Sequence, residues 1–164
     1  MPLEKLTITK AISGPAIPRA KISRAVEAAC SESKKAVTLH IIFVSDKKIA
    51  NLHFDFMRDS SATDVITFVL QEEKGSFETE IYVSIDRAKA QARENGVTLP
   101  NELVRLSAHG ALHAIGYDDL RPRLRAKMWK RQESIVAEVF TSMRTASNTA
   151  GKTAGITASA KHRK

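Results

Sequence analysis

The segment His109-Gly110-Ala111-Leu112-His113-Ala114-Ile115-Gly116-Tyr117-Asp118-Asp119 is where residue types and spacing in this 164-residue chain point to chemistry. His109 and His113 are four apart in a stretch with helical character, so their rings project from one face, one turn apart. Two imidazoles so placed can reach a single metal ion at about 2.0–2.1 Å, the bond length zinc prefers. Gly116 can end the helix in a backbone conformation that other residues resist. The chain can then fold back and bring Asp118 or Asp119 to the same ion. Three protein ligands would leave a fourth position for water, the layout of a catalytic rather than a structural zinc site. The histidine pair alone also fits two hydrogen-bonded residues on a helix face; the glycine and the carboxylates favour the metal. Gly110 counts against one chemistry. In HExxH peptidases that position is the glutamate general base, and glycine has no side chain to accept a proton.

The surrounding elements must hold these residues in place. The stretch 18–31 spaces Ile22, Ala25, Val26 and Ala29 as an amphipathic helix. AVTLHIIFV (36–44) alternates as a largely buried strand, and Ser45 can cap a helix over DKKIANLHFDFM. A loop is expected at 58–62, a strand at 63–70, a turn at 72–76 and a strand at 80–84. Ser84 should cap the Ala-rich helix that stops at Asn95-Gly96. Pro100 and Glu102 open the helix that carries the histidines to Gly116. A last helix begins near Pro122, with Leu124, Met128, Ile135 and Val139 on its core side. At least three strands mixed with several helices predict a single domain of α/β or α+β class.

Composition bounds the rest. Hydrophobic residues make up 43% and charged residues 27%, ordinary for a globular chain. The single cysteine, Cys30, excludes an intramolecular disulfide. The N-terminus lacks an apolar signal-peptide core and no apolar run is long enough for a membrane span, so a cytoplasmic protein is expected. The formal charge is +8, and five basic residues with no acids lie between Arg144 and Lys164. Residues 143–164 are expected to form a disordered basic tail, too poor in apolar groups to order itself. Such a tail either screens nucleic-acid phosphates or is a solubilising extension.

At the histidine segment the chain resembles the YbeY family of bacterial endoribonucleases, whose signature is HGxLHxxGYDH. His109 through Asp118 match every fixed position, and Asp119 replaces the final ligand histidine. Thr63-Asp64-Val65-Ile66-Thr67-Phe68 resembles the family's PTDVLSF strand, and Thr79-Glu80-Ile81-Tyr82-Val83-Ser84 its GDIxIS strand. The blocks keep the family's order over about residues 35–140, which places a YbeY-like domain at 1–142. The resemblance implies an α+β single domain, a mixed β-sheet packed by helices with the metal site on the HxxxH helix. It also implies a metal-dependent endoribonuclease selective for single-stranded RNA. Its work would be ribosomal RNA maturation, at the small-subunit 3′ end, and ribosome quality control. Single-stranded RNA, rRNA and the small subunit would be its partners. It implies zinc held by His109, His113 and Asp119, with His109, His113 and Arg58 serving catalysis.

Three departures qualify the resemblance. A carboxylate third ligand would weaken the Lewis acid and admit Mn²⁺ or another divalent ion beside zinc. An arginine that the family often carries before the PTDVLSF strand falls at Met57 without gaps, which makes Arg58, one residue later, the candidate phosphate contact. The last helix, often acidic in the family, here carries Arg121, Arg123, Arg125, Lys127, Lys130 and Arg131, either a backbone track for RNA or a solvated face. His40 is expected to be a hydrogen-bonded core residue, His53 a surface residue and Trp129 a packing residue. Two other readings compete: a ribosome-assembly factor with a structural metal, and a zinc metallopeptidase.

Overall fold

Alternation along AVTLHIIFV puts Val37, Leu39, Ile41 and Phe43 on one face, and all four are fully buried. This strand, β2 (Ala36–Val44), is the inner strand around which the sheet is built. In the computed structural model, which describes residues 2–57 and 64–150, it pairs in parallel with β1 (Leu3–Lys10) and β4 (Ser76–Ser84). Strand β3 (Val65–Glu72) runs antiparallel on the far side of β4, giving the order β1-β2-β4-β3. The fold is α+β, with four strands in one mixed sheet and five helices among the described residues.

Helices α1 (Arg19–Cys30), α3 (Ile85–Asn95), α4 (Leu99–Ala114) and α5 (Pro122–Ala150) carry residues of the main core, which they share with that face of β2 and with Ile81 and Val83 of β4. Helix α2 (Asp46–Met57) builds a smaller cluster of Ile49 and Leu52 with Val44, Ile66, Phe68 and Tyr82. Ser45 and Ser84 accept hydrogen bonds from Lys48 N–H and Arg87 N–H, so both serve as the expected helix caps. Gly96 closes α3 in the left-handed conformation. Cys30 is buried, and burial pushes its thiol up to about 12, which makes it a neutral core side chain.

Strand β1 is the element the sequence pattern does not announce. Its Lys, Glu and Thr residues dilute the apolar alternation because it is an edge strand, paired with β2 alone. Strand β4 starts four residues before the predicted boundary. Helix α5 extends past position 142, where the sequence reading ends the folded domain. Residues 151–164 of the expected tail, and the loop with Arg58, lie outside the described residues. Among the described residues no helix is long and apolar enough to cross a membrane.

Candidate metal centre

Helix α4 enters through Thr98, whose hydroxyl accepts from Asn101 N–H, with Pro100 in the first turn. Its sequence then sets the histidines one turn apart, with ring centroids 4.7 Å from each other. Between them Gly110 faces the sheet. A Cβ built there would lie 2.6 Å from Ile81 Cγ2 and 3.3 Å from Val65 Cγ1. Glycine therefore lets α4 lie directly on β4, and this contact sets the depth at which both imidazoles sit. The missing side chain that argues against a peptidase is thus also a packing requirement.

The helix ends in a Schellman turn. Tyr117 N–H donates to Leu112 O and Gly116 N–H to His113 O, with Gly116 at φ 113°, a conformation closed to most side chains. Glu32 braces the turn: it accepts from the Tyr117 hydroxyl at 2.6 Å and pairs with Arg131 at 2.7 Å. The Glu32 hydrogen bond, with burial, raises the Tyr117 pKa. The chain that emerges carries Asp119 back over the rings. Its Oδ2 lies 3.3 Å from His113 Nε2 and 3.7 Å from His109 Nε2. Asp118 instead accepts from Leu120 N–H at 2.8 Å, so its carboxylate stabilises the turn. The choice between the two aspartates, open on spacing, is settled by this turn.

The donor set fits a metal ion. Two imidazole nitrogens and one carboxylate oxygen lie within 4.8 Å of one another. A tetrahedral ion with bonds of about 2.0–2.1 Å would separate its ligand atoms by roughly 3.3–3.4 Å. The proton positions point the same way. His113 Nδ1 contacts the Tyr117 carbonyl at 3.1 Å, and a carbonyl only accepts, so Nδ1 carries the hydrogen. His109 Nδ1 contacts Gln132 Oε1 at 2.7 Å. The Gln132 orientation is fixed because its Nε2 donates to the Glu133 carboxylate at 3.0 Å. With Nδ1 engaged in this way, both rings turn Nε2 toward the Asp119 carboxylate. Two imidazole nitrogens and a carboxylate oxygen oriented in this way form a donor set that could hold a metal ion, with each Nδ1 fixed by an outer partner.

Gln132 is 3% exposed and belongs to a chain of fixed groups. Glu133 receives Arg105 through both oxygens, at 2.7 and 3.0 Å, and Arg105 also donates to Glu102 at 2.9 Å. Burial works against the Glu133 charge, yet Arg105 and the Gln132 amide hold its pKa below the ordinary value. At Glu102 burial prevails over Arg105 and pushes the pKa up. Sequence reasoning passed over Gln132, although a signal existed: it is the polar member of the stripe Met128, Gln132, Ile135, Val139. Replacing it with leucine keeps the volume and removes the acceptor. Metal affinity should fall about 10- to 100-fold; a competition titration against a chromophoric chelator reads this, and unchanged affinity would refute the support role.

Beside the ligands lies a cleft of 230 Å³ lined by Asp64, Gln91, His109, Asp119, Arg125 and Trp129, among others. Gln91 donates to Asp64 at 2.9 Å. The basic residues of α5 divide. Arg131 turns to Glu32, Lys127 sits 6.0 Å from the Tyr117 ring, and Arg125 faces the cleft. Trp129, expected to pack, is 58% exposed. His40 is hydrogen-bonded as expected, between Thr7 at 2.7 Å and Glu78 at 2.6 Å. His53, on α2, is not among the residues that line the cleft.

Comparison with known proteins matches this geometry to relatives. The family profile described as endoribonuclease YbeY matches residues 9–140. The endoribonuclease YbeY of Chlorobaculum parvum is 36% identical over 134 residues, covering 81% of this chain and 92% of that protein. Its counterpart in Chlorobaculum tepidum is 34% identical, covering 81% and 94%. A solution structure of a Thermotoga maritima protein superposes with a TM-score of 0.58 at 26% identity, covering 96% of this chain and 99% of that one. The histidine pair, the glycine turn and the ordered strands have a common explanation: the chain belongs to the YbeY endoribonuclease family.

Proposed function

We propose that this protein is a metal-dependent endoribonuclease that cuts single-stranded RNA, with ribosomal RNA and the small-subunit 3′ end as its substrate. The observation that carries this reading is the convergence of two imidazole Nε2 atoms and the Asp119 carboxylate, in a chain of endoribonuclease relatives. His109, His113 and Asp119 would hold the ion. Their two nitrogens and one oxygen suit zinc, and the carboxylate admits Mn²⁺. When bound, the ion supplies a lowered pKa for an attacking water and charge neutralisation at the phosphate oxygens.

The chain's own residues do the rest. Three protein ligands leave the ion open to substrate, which favours catalysis over a structural metal in a ribosome-assembly factor. Gly110 supplies no general base for a peptidase. Arg125, with the other exposed basic residues of α5, draws the RNA backbone toward the cleft, and Arg58, next in sequence after α2, grips a phosphate. The basic residues between Arg144 and Lys164 add a hold on RNA that weakens with salt. The protein works in the cytoplasm, on the ribosome.

The test is cleavage of single-stranded RNA by purified protein, stripped with chelator and reloaded with zinc or manganese. Activity that persists in chelator, or cleavage of casein, would overturn the reading. Arg58→Ala should leave metal content unchanged and slow cleavage about 10²-fold; elemental analysis beside the RNase assay separates the two effects.

A further inference from the structure

Arg125 and Trp129 are four residues apart on α5, so they share a face one turn from each other. Both line the cleft that holds His109 and Asp119. Met128, next in sequence, is 1% exposed and points into the core, while the Trp129 indole is turned outward. What makes the exposed ring notable is its place, since it lines the same cleft as His109 and Asp119. Arg125 Nη1 donates to the Asp119 carbonyl at 3.3 Å, which places the guanidinium at the turn carrying the third ligand. Among the described residues Arg125 forms no salt bridge. The cleft therefore offers, side by side, two of the candidate metal ligands, a guanidinium outside any salt bridge among the described residues, and an aromatic face. Indole faces stack on nucleobases of any sequence, and guanidinium groups grip phosphates.

We infer that Trp129 is a stacking platform for an unpaired nucleobase and that Arg125 holds an adjoining phosphate, which together seat single-stranded RNA beside the metal ligands. This deepens, and rests on, the endoribonuclease reading. In a duplex both faces of each base are covered, so the indole can engage one only after unstacking it. Selection for single strands then arises from this ring rather than from the basic surface, which attracts duplex phosphates equally.

Trp129 is the chain's sole tryptophan, so its fluorescence reports the contact directly. The probe is oligodeoxyadenylate, single-stranded or annealed to oligothymidylate, titrated into the full-length metal-loaded protein. Fluorescence anisotropy of an end label measures binding independently. Single strands should quench Trp129 saturably, and duplex should bind without comparable quenching. Trp129→Leu should weaken single-strand binding about 5- to 150-fold, and Trp129→Phe should recover much of the loss. Arg125→Ala should lower the salt slope of single-strand binding by about 0.7. Binding with unchanged fluorescence, equal quenching by duplex, or a leucine variant that binds as tightly as the parent would overturn the platform while the nuclease reading stands. Failure of every nucleic acid to bind would overturn both.

Discussion

His113→Ala protein is expected to fold, to lose its metal and to leave RNA uncut. In the proposed site the ring is one of three donors, and among the described residues no fourth side chain joins that group. Loss of a group that only hydrogen-bonds a metal ligand already costs about 10- to 100-fold, so removal of a donor should weaken retention by more than about 100-fold. Without the ion, several kcal/mol of charge stabilisation disappear, and cleavage should fall about 10³-fold or more. Thermal melts give an independent reading. An ion that binds only the folded state stabilises it by RT ln(1 + [L]/Kd), about 2.7 kcal/mol at a hundredfold excess over Kd. Chelator should therefore lower the melting temperature of the parent and leave that of His113→Ala unmoved. His109→Ala should behave alike. His40→Ala, which alters a histidine bonded to Thr7 and Glu78, should keep full metal content. Stoichiometric zinc in a His109/His113 double alanine variant would refute the site.

Gly110→Ala should destabilise the fold, against the ordinary rule for helices. In a helix interior alanine is favoured over glycine by about 0.8–1.0 kcal/mol. Here the new methyl would lie 2.6 Å from Ile81 Cγ2. Ile81 is fully buried and β-branched, so it cannot swing aside and α4 must lift from the sheet. Overpacking of this kind costs about 1–3 kcal/mol, and each kcal/mol lowers the melting temperature by about 2–4 °C in a chain of this size. The lift also moves His109, the neighbouring residue, so metal affinity should drop with stability. Ile81→Ala removes the obstructing methyl at a cost of about 2–5 kcal/mol by itself. The double variant should then be more stable than the sum of the single losses. A Gly110→Ala protein as stable as the parent would show that the helix does not depend on this close approach.

The elements whose signals are local were legible in the residues. Ser45, Ser84 and Gly96 marked helix ends that the structure reproduces, because a cap bonds backbone groups within its own turn. Strands β2 and β4 were visible because burial imposes alternation. Strand β1 was not, since a half-exposed edge strand carries little alternation and its pairing depends on β2, about thirty residues away. The same limit hid Gln132 and the role of Gly110. Each acts through a contact with another element, His109 across 23 residues in one case and Ile81 in the other.

What the residue order determined by itself was the pair of imidazoles, the glycine that breaks their helix and the nearby carboxylates, since helical periodicity and glycine's freedom operate within a few residues. Tertiary structure alone decided which aspartate faces the rings, which nitrogen of each ring turns toward it, and that α5 lays a glutamine against His109 while turning Trp129 outward. Those outcomes follow from how helices pack on one another and on the sheet, and packing is settled by shape and burial across the whole core rather than by any short stretch of chain.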